Sequence, residues 1–336
     1  MVSSEWRISI GEYEIVNDSQ WTVRSLLRNT AVQFEERGIE SPRLTAELLL
    51  AQILQMKRVE LYLDFDREIL EEERNCFQRS IERRLRGEPT NYILGEMEFM
   101  GFTLKIQKGV FIPRPETETL CEAVLNQIES VGVWDGLHQN DPNGRSSPTE
   151  LIVFEIGCGC GAISLALALQ FTTNHKYPIT NYRIFASDIS EEALQNAREN
   201  ARRLGVSSNI QFLKGDLFEP FHPLQLKADL LISNPPYVPS SLLDQLSLEI
   251  RKFEPREALD GGEDGLTFLR KIVREAPPLL KKGGLLALEV GEGQASTVQD
   301  LINPKDGFQE VEIFKDLAGI RRGVLAKLSV KESLQN

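Results

Sequence analysis

Histidine, cysteine and positive charge are scarce in this sequence, and each shortage excludes a class of protein. Three histidines and four cysteines occur among 336 residues, too few cysteines for a disulfide framework in a chain of this length. Lysine and arginine together number 38 against 50 for aspartate and glutamate, which gives a net charge of −12. Because sequence-independent binding to nucleic-acid phosphates requires a cationic surface, we expect no stable complex with nucleic acid.

Long apolar runs are also missing. No run approaches the roughly 18 apolar residues that a membrane span needs, and residues 3–7, Ser-Ser-Glu-Trp-Arg, are too polar for a secretory signal. Cys158 and Cys160 are close together but have no histidine near them, so a structural metal site is not expected. These shortages predict a reduced, cytoplasmic protein without a metal or a membrane anchor.

The chain before residue 113 divides into three segments. Residues 1–20 show no hydrophobic period and are interpreted as an extension. Residues 21–90 carry apolar side chains at helical spacing and predict a small helical bundle, with a helix end at Gly38 and a new start at Ser41-Pro42. Residues 91–112 have apolar residues that alternate around a glycine, which predicts a hairpin linker.

Residues 113–330 form the last predicted domain. From Leu151 onward, apolar strands alternate regularly with helical patterns, as in a doubly wound α/β sheet. Residues 131–149 within this region are rich in glycine, asparagine, proline and serine and predict a flexible loop. Seven strands are predicted, at 151–156, 182–187, 210–213, 228–233, 285–290, 309–314 and 323–328. The last two are joined by a short connection, which suits an antiparallel hairpin better than a helical crossover.

A glycine-rich turn follows the first of these strands and runs directly into a helix. Its residues are Gly157, Cys158, Gly159, Cys160 and Gly161. Glycines let the backbone approach a ligand closely, and a helix N-terminus favours an anion. The spacing is one residue shorter than the dinucleotide fingerprint, which disfavours NAD. Asp188 ends the second strand, where a carboxylate can accept both hydroxyls of a ribose, and Leu217 follows the third strand, where its apolar side chain can contact an adenine ring.

The fourth strand ends in Asn234-Pro235-Pro236-Tyr237. Two prolines without N–H groups make a stiff turn with bare carbonyls, Asn234 adds a side-chain acceptor, and Tyr237 adds a flat ring. Such a turn can accept both hydrogens of an –NH₂ group, on the Asn234 oxygen and the Pro235 carbonyl, and direct the nitrogen lone pair at an electrophile. Together with the groups at the first three strand ends, this turn fits S-adenosylmethionine as the cofactor.

These motifs resemble the HemK/PrmC family of release-factor glutamine methyltransferases, over roughly residues 21–328. The resemblance rests on seven segments: Gly87-Glu88-Pro89, Tyr92-Ile93-Leu94-Gly95, Ile112-Pro113-Arg114-Pro115-Glu116-Thr117-Glu118, and residues 157–161, 234–237, 254–266 and 315–321. The Asn-Pro-Pro-Tyr turn alone is shared with DNA adenine and some RNA guanine methyltransferases. The Pro-Arg-Pro-Glu-Thr-Glu segment joined to a helical N-terminal domain is more particular to this family.

The resemblance implies a Rossmann-like class I methyltransferase dependent on S-adenosylmethionine, with a mainly parallel seven-stranded sheet, an antiparallel final strand and a helical bundle for substrate recognition. It implies N5-methylation of the glutamine in the Gly-Gly-Gln loop of peptide chain release factors, by a monomer. Residues 157–161 would hold the methionine part of the cofactor, Asp188 the ribose and Leu217 the adenine, with Asn234 next to the cofactor.

By the same resemblance, residues 234–237 would hold the glutamine amide, with Asn234, Pro235 and Tyr237 as the predicted catalytic residues and Pro236 as part of the substrate site. The sequence departs from the family at Cys160, where serine or threonine is usual, and in its N-terminal extension and longer 131–149 segment. Three alternatives stay open: a methyltransferase for another protein's glutamine, such as a ribosomal protein; one for a nucleic-acid exocyclic amine; and a non-catalytic cofactor-binding scaffold.

Overall fold

The computed structural model describes residues 21–130, 150–173, 179–302 and 307–330. The chain divides into two compact units, Met1–Gly95 and Glu96–Asn336. The first unit thus ends at residue 95, whereas the sequence analysis ended the bundle at residue 90. The predicted extension at 1–20 and the predicted loop at 131–149 lie outside the described residues.

The described part of the first unit is helical. Its helices are α1 Val23–Glu36, α2 Pro42–Leu54, α3 Arg58–Leu63, α4 Glu71–Leu85 and α5 Thr90–Leu94. Helix α1 begins with a reciprocal cap, because the Ser25 N–H donates to the Thr22 hydroxyl while the Thr22 N–H donates to the Ser25 hydroxyl. Phe34, Leu50 and Phe77 are buried in one apolar core. The predicted helical bundle is confirmed.

Two local features of this unit differ from the sequence analysis. Ser41 precedes α2 as expected, but its φ of 48° is left-handed and its side chain makes no capping hydrogen bond. The helix begins instead on Pro42, whose missing N–H is not needed in a first turn. Helices α3 and α5 were not predicted, because stretches of six and five residues are too short to show a hydrophobic period.

The second unit begins with an antiparallel hairpin of β1 Glu96–Phe99 and β2 Phe102–Lys105. Met100 and Gly101 connect the strands with φ values of 45° and 81°. A two-residue turn with both residues left-handed matches the twist of the flanking strands. Helix α6 Pro115–Ser130 follows and leads toward the main sheet.

The main sheet of the second unit has seven strands within the described residues, in the order β5-β4-β3-β6-β7-β9-β8. The strands are β3 Leu151–Ile156, β4 Tyr182–Asp188, β5 Ile210–Lys214, β6 Ala228–Ser233, β7 Leu280–Glu289, β8 Phe308–Lys315 and β9 Arg321–Leu328. The helices between them are α7 Ala162–Thr173, α8 Glu191–Arg203, α9 Leu248–Phe253, α10 Thr267–Glu275 and α11 Ala295–Leu301.

Strand direction confirms the predicted architecture. Strands β3 to β7 pair in parallel, and the final strand β9 runs antiparallel to β7 and β8. The core packs on the faces of this sheet, where the Phe154 ring stacks on Phe221 at 4.5 Å between centroids. Because the chain winds outward in opposite directions from β3 and β6, a ligand site is expected where the carboxyl ends of these two strands diverge.

The region between β6 and β7 is the part that the sequence analysis described least. Helices α9 and α10 lie there and were not predicted. Strand β7 starts at Leu280, five residues before the predicted start at 285, because Gly283 and Gly284 suggested a turn rather than the interior of a strand.

Candidate active site

Four neighbouring strands place the sequence-predicted residues at one edge of the sheet. Ser187 of β4, Ile156 of β3, Ser233 of β6 and Leu288 of β7 lie next to one another in register. The residues that follow them are Asp188, Gly157, Asn234 and Glu289. The glycine turn and the Asn-Pro-Pro-Tyr turn therefore leave the sheet side by side, and the Ser233 hydroxyl joins their bases by donating to the Ile156 carbonyl at 2.8 Å.

Backbone N–H groups of the glycine turn bond it to the end of strand β4. The N–H groups of Gly157 and Cys158 donate to the Ser187 carbonyl at 2.8 and 2.9 Å, and the Gly159 N–H donates to the Asp188 carboxylate at 2.8 Å. These N–H groups are therefore already bonded within the protein and are not free to donate to a ligand. The turn is fixed before any ligand arrives.

The three glycines of this turn adopt left-handed φ values of 72°, 55° and 88°, which only glycine adopts without strain. A Cβ on Gly157 or Gly159 would meet no atom within 4 Å, so the backbone there is open to a ligand. The thiols of Cys158 and Cys160 are buried, and burial raises the pKa of Cys160 to about 12. Both side chains are therefore neutral.

Asp188 and Leu217 lie on the far side of the glycine turn from Asn234. The Asp188 carboxylate accepts from the Gly159 N–H at 2.8 Å and from the Ser190 N–H at 2.9 Å. Burial raises its pKa, although these backbone donors lower it. Leu217 has a left-handed φ of 45° and is half-buried against the core of the sheet. Both residues are partly exposed.

Glu155 lies directly beneath the glycine turn and was not singled out from the sequence. One of its oxygens accepts from the N–H and the hydroxyl of Ser164 in α7, while Oε1 has no hydrogen-bond partner among the described residues. Burial raises the pKa of Glu155 to about 8. Its signal in the sequence is an acid within an otherwise apolar strand, just before the glycines.

The Asn-Pro-Pro-Tyr turn presents bare acceptors. The Asn234 side chain donates from Nδ2 to the Thr117 hydroxyl at 3.0 Å. Within the described part of the chain, no donor bonds to Asn234 Oδ1 or to the carbonyl oxygens of Asn234 and Pro235. The turn thus has the acceptors that the sequence predicted, and Thr117 holds the other end of the amide.

A segment that includes Leu259 and Gly261 packs against the Asn-Pro-Pro-Tyr turn. The Val238 N–H donates to the Leu259 carbonyl at 2.9 Å, and the Gly261 N–H donates to the Val238 carbonyl at 2.8 Å. A Cβ on Gly261 would lie 2.7 Å from Tyr237 Cα, so only glycine permits this approach. The Gln294 side chain adds a bond to the Tyr237 carbonyl at 3.0 Å. The Asn-Pro-Pro-Tyr turn is therefore rigid.

Glu289 and Thr117 are the further residues of this site that sequence reasoning missed. The Tyr237 hydroxyl donates to Glu289 Oε1 at 3.3 Å, and the Thr117 hydroxyl faces the same carboxylate and lowers its pKa. Burial outweighs these contacts and raises the pKa of Glu289 to about 7. Burial and the neighbouring Glu289 also raise the pKa of the Tyr237 hydroxyl. As with Glu155, the sequence signal is an acid at the end of an apolar strand.

Charged pairs fix the start of α6 near the site. Arg114 donates to the buried Glu254 carboxylate at 2.6 Å, and Arg322 of β9 bridges Asp316 at 2.7 Å and Glu116 at 3.3 Å. In the described part of the chain, no group of His, Cys, Asp or Glu side chains is arranged to hold a metal ion. No helix described here combines the length and apolar character needed to cross a membrane.

Comparison with known proteins agrees with the geometry. Residues 25–95 match the model of the PrmC N-terminal domain, and residues 149–312 match that of a methyltransferase domain. The release factor glutamine methyltransferase of Rhodopirellula baltica is 36% identical over 309 residues, covering 92% of this chain and 97% of the relative. The proteins of the same name from Chlorobaculum tepidum and Moorella thermoacetica are 35% and 37% identical, covering 90% and 91% of this chain and 96% and 98% of theirs.

The mostly parallel sheet with a glycine turn and an acceptor-rich turn at adjacent strand ends defines a class I methyltransferase. The helical N-terminal unit and the similarity over nearly the full length of the relatives identify the family within this class. The chain belongs to the PrmC/HemK family of release factor glutamine methyltransferases.

Proposed function

We propose that this chain transfers the methyl group of S-adenosylmethionine to the side-chain nitrogen N5 of the glutamine in the Gly-Gly-Gln motif of peptide chain release factors. The observation that carries the proposal is the pairing of Ile156 with Ser233. Because of this register, the open glycine turn and the bare acceptors of Asn234 and Pro235 start next to each other. The names of the full-length relatives support the same substrate.

The residues at the carboxyl edge suit this cofactor. Its sulfonium and ammonium groups are cationic, and the site offers two acids. One is the buried Glu155, which has an unpartnered oxygen among the described residues, and the other is the partly exposed Asp188. A bound cation favours the ionised form of both. We assign the methionine part to residues 157–161, the ribose to Asp188 and the adenine to Leu217.

The residues of the Asn-Pro-Pro-Tyr turn orient the acceptor. When bound, S-adenosylmethionine supplies an electrophilic methyl group. Asn234 Oδ1 and the Pro235 carbonyl each accept one N–H of the substrate amide, which directs the nitrogen toward the glycine turn and increases its electron density. The Tyr237 ring offers a flat face for the amide, with Pro236 keeping the turn stiff. Such positioning can lower a barrier by about 7–11 kcal/mol. As the C–N bond formed, the S–CH₃ bond of the bound cofactor would break to leave a neutral thioether, and the nitrogen would then release its proton to water.

Transfer of labelled methyl groups tests the proposal. We expect the purified protein to label a release factor with an intact loop glutamine and not one in which that glutamine is replaced. Separate reactions with DNA, ribosomal RNA and ribosomal proteins examine the other acceptors that the sequence leaves open. Labelling of any of these in preference to the release factor would refute the proposed substrate, and absence of turnover on every acceptor would indicate a scaffold.

A further inference from the structure

The Asn234 amide can perform its proposed role in only one of two orientations. Its two ends have nearly the same shape, but only Oδ1 can accept an N–H from a substrate amide, whereas Nδ2 can only donate. In the structure Nδ2 bonds to the Thr117 hydroxyl at 3.0 Å, and Oδ1 is left without a donor among the described residues. Some feature of the surrounding protein must favour this orientation over the reverse.

We propose that Glu289, acting through the Thr117 hydroxyl, is the positioning residue that sets the orientation of the Asn234 amide. The inference rests on the proposed function, because it concerns how the turn receives the glutamine N–H. Glu289 and Thr117 are 1% and 2% exposed, so water does not compete freely for their hydrogen bonds. Neither residue is expected to touch the substrate.

Glu289 can set the orientation of the Asn234 amide because each hydrogen bond needs one donor and one acceptor. An ionised carboxylate can only accept, and a threonine hydroxyl has one proton to donate. When Glu289 is ionised, we expect that proton to point to its carboxylate, because Glu289 Oε2 is buried and accepts from no donor among the described residues, and Thr117 lowers the pKa of Glu289. Thr117 is then an acceptor toward Asn234, which must present Nδ2 to it and Oδ1 to the substrate. The charge on Glu289 thus sets the orientation of the Asn234 amide through the Thr117 hydroxyl.

Protonation of Glu289 removes this constraint. A protonated carboxyl can itself donate to Thr117, which frees the Thr117 proton to point at Asn234 and allows the amide to reverse. The pKa of Glu289 is about 7, because burial raises it and Glu116 of α6 adds to the rise, whereas Thr117, Tyr237 and Arg322 lower it.

Another ionisable group near Glu289 is the Cys121 thiol of α6, whose pKa is raised mainly by burial, with the nearby Glu155 and Glu289 adding to the rise. This thiol is neutral and does not titrate with Glu289. We therefore expect turnover to fall as pH decreases through about 7, because the fraction of Asn234 that presents Oδ1 decreases with it.

Three variants distinguish an effect on the orientation of the Asn234 amide from an effect on the packing around it. Thr117→Val keeps the shape of the side chain but removes the hydroxyl, Thr117→Ser keeps the hydroxyl, and Glu289→Gln replaces an acceptor by a group that can also donate. We expect Thr117→Val and Glu289→Gln to lower kcat about tenfold, the effect of one misplaced hydrogen bond, and to flatten the decrease below pH 7. Thr117→Ser should retain both the rate and the pH profile. Glu312→Gln, an exposed acid of β8, is the matched control and should leave both unchanged.

A second measurement does not depend on turnover. The side-chain amide of Asn234, labelled with ¹⁵N and assigned with the Asn234→Ala variant, should shift with pH in the ligand-free wild type with a midpoint near 7, and not in Thr117→Val. If wild type methylates the release factor while Thr117→Val and Glu289→Gln keep its rate and pH profile, the positioning role is wrong and the proposed function stands. If wild type has no activity on the release factor, the proposed function fails, and the amide titration alone decides the inference.

Discussion

Asn234 contributes one oxygen atom to the proposed transfer, and its loss should affect turnover far more than cofactor binding. Asn234→Ala removes Oδ1 and leaves the glycine turn and Asp188 in place, since Asn234 bonds through its side chain to Thr117 and not to that turn. We expect kcat to fall by about 10²–10³, as for removal of one preorganised polar group from other active sites. Steady-state kinetics on the release factor and calorimetric titration of the cofactor measure the two quantities.

Asn209→Ala is a matched control for this variant. Asn209 lies before β5, at the opposite edge of the sheet, and its side chain bonds to the Tyr182 carbonyl at 3.1 Å. We expect this variant to lose some stability while keeping its kcat. Near-normal turnover in Asn234→Ala would contradict the role of its oxygen in holding the glutamine amide.

Glu155 makes the stability of the ligand-free protein depend on pH. Its folded-state pKa of about 8 exceeds the usual value of about 4.3 for an unfolded chain, so the native state binds a proton that the unfolded state releases. This stabilisation is complete below the unfolded pKa and is lost as pH rises to about 8, at up to about 1.4 kcal/mol per pH unit. Between pH 5 and 8, Glu155→Gln should therefore lose less stability than wild type, as urea unfolding across this range would measure. Parallel curves for the two proteins would show that Glu155 does not titrate there.

At the scale of single residues, the sequence pointed to side chains with a distinctive local motif. Asn234 and Asp188 were found because each ends a strand. Thr117 and Glu289 were not, because their importance comes from partners that lie far away in the chain. Thr117 meets Asn234 across 117 positions, and Glu289 meets Tyr237 across 52. The roles assigned to the predicted residues stay predictions.

At the scale of elements, Gly161 of the glycine turn packs closely against helix α8. A Cβ on Gly161 would lie 3.1 Å from Ala197 Cβ and 3.2 Å from Leu165 Cδ1, and its φ is 88°. Gly161→Ala should therefore combine backbone strain of about 1–2 kcal/mol with overpacking of about 1–3 kcal/mol, and should weaken cofactor binding by shifting the turn. Thermal unfolding and cofactor titration test both effects.

Gly205→Ala distinguishes the effect of backbone strain from that of overpacking. Gly205, just after α8, has a similar φ of 74°, but a Cβ there would meet no atom within 4 Å. We expect this variant to show only the strain of about 1–2 kcal/mol and normal cofactor binding. Equal losses of stability in the two alanine variants would mean that contact with α8 does not restrict position 161.

The accuracy of element prediction followed the length and periodicity of each segment. Strand β6 was predicted with its observed bounds, since an apolar run of six residues ended by Asn-Pro-Pro has no helical alternative. Helix α9, also of six residues, was missed because most of its side chains remain outside the core. The register of β3 against β6, which brings the two turns together, could not be predicted, because buried parallel strands have no alternating pattern to fix it.

At the scale of the whole molecule, two separate apolar cores support two compact units. All residues of the candidate site belong to the second unit, Glu96–Asn336, including the supporting Thr117 and Glu289. The first unit has its own buried side chains and none of these groups. In the proposed function, we expect the chemistry to depend on the second unit and the recognition of the release factor to depend on the first.

Deletion of residues 1–95 tests this separation. Because the second unit keeps its core and every site residue, we expect the shortened protein to fold and to bind S-adenosylmethionine with a Kd within about threefold of the full chain, a change of less than about 0.7 kcal/mol. Loss of contacts from the helical unit should raise KM for the release factor at least about tenfold, or 1.4 kcal/mol of binding energy. The full-length Asn234→Ala variant is a control with the opposite expected result, namely a reduced kcat and a KM close to that of wild type. Unchanged kcat/KM in the shortened protein would show that the helical unit has no part in substrate recognition, whereas lost cofactor binding would show that the second unit depends on the first for its structure.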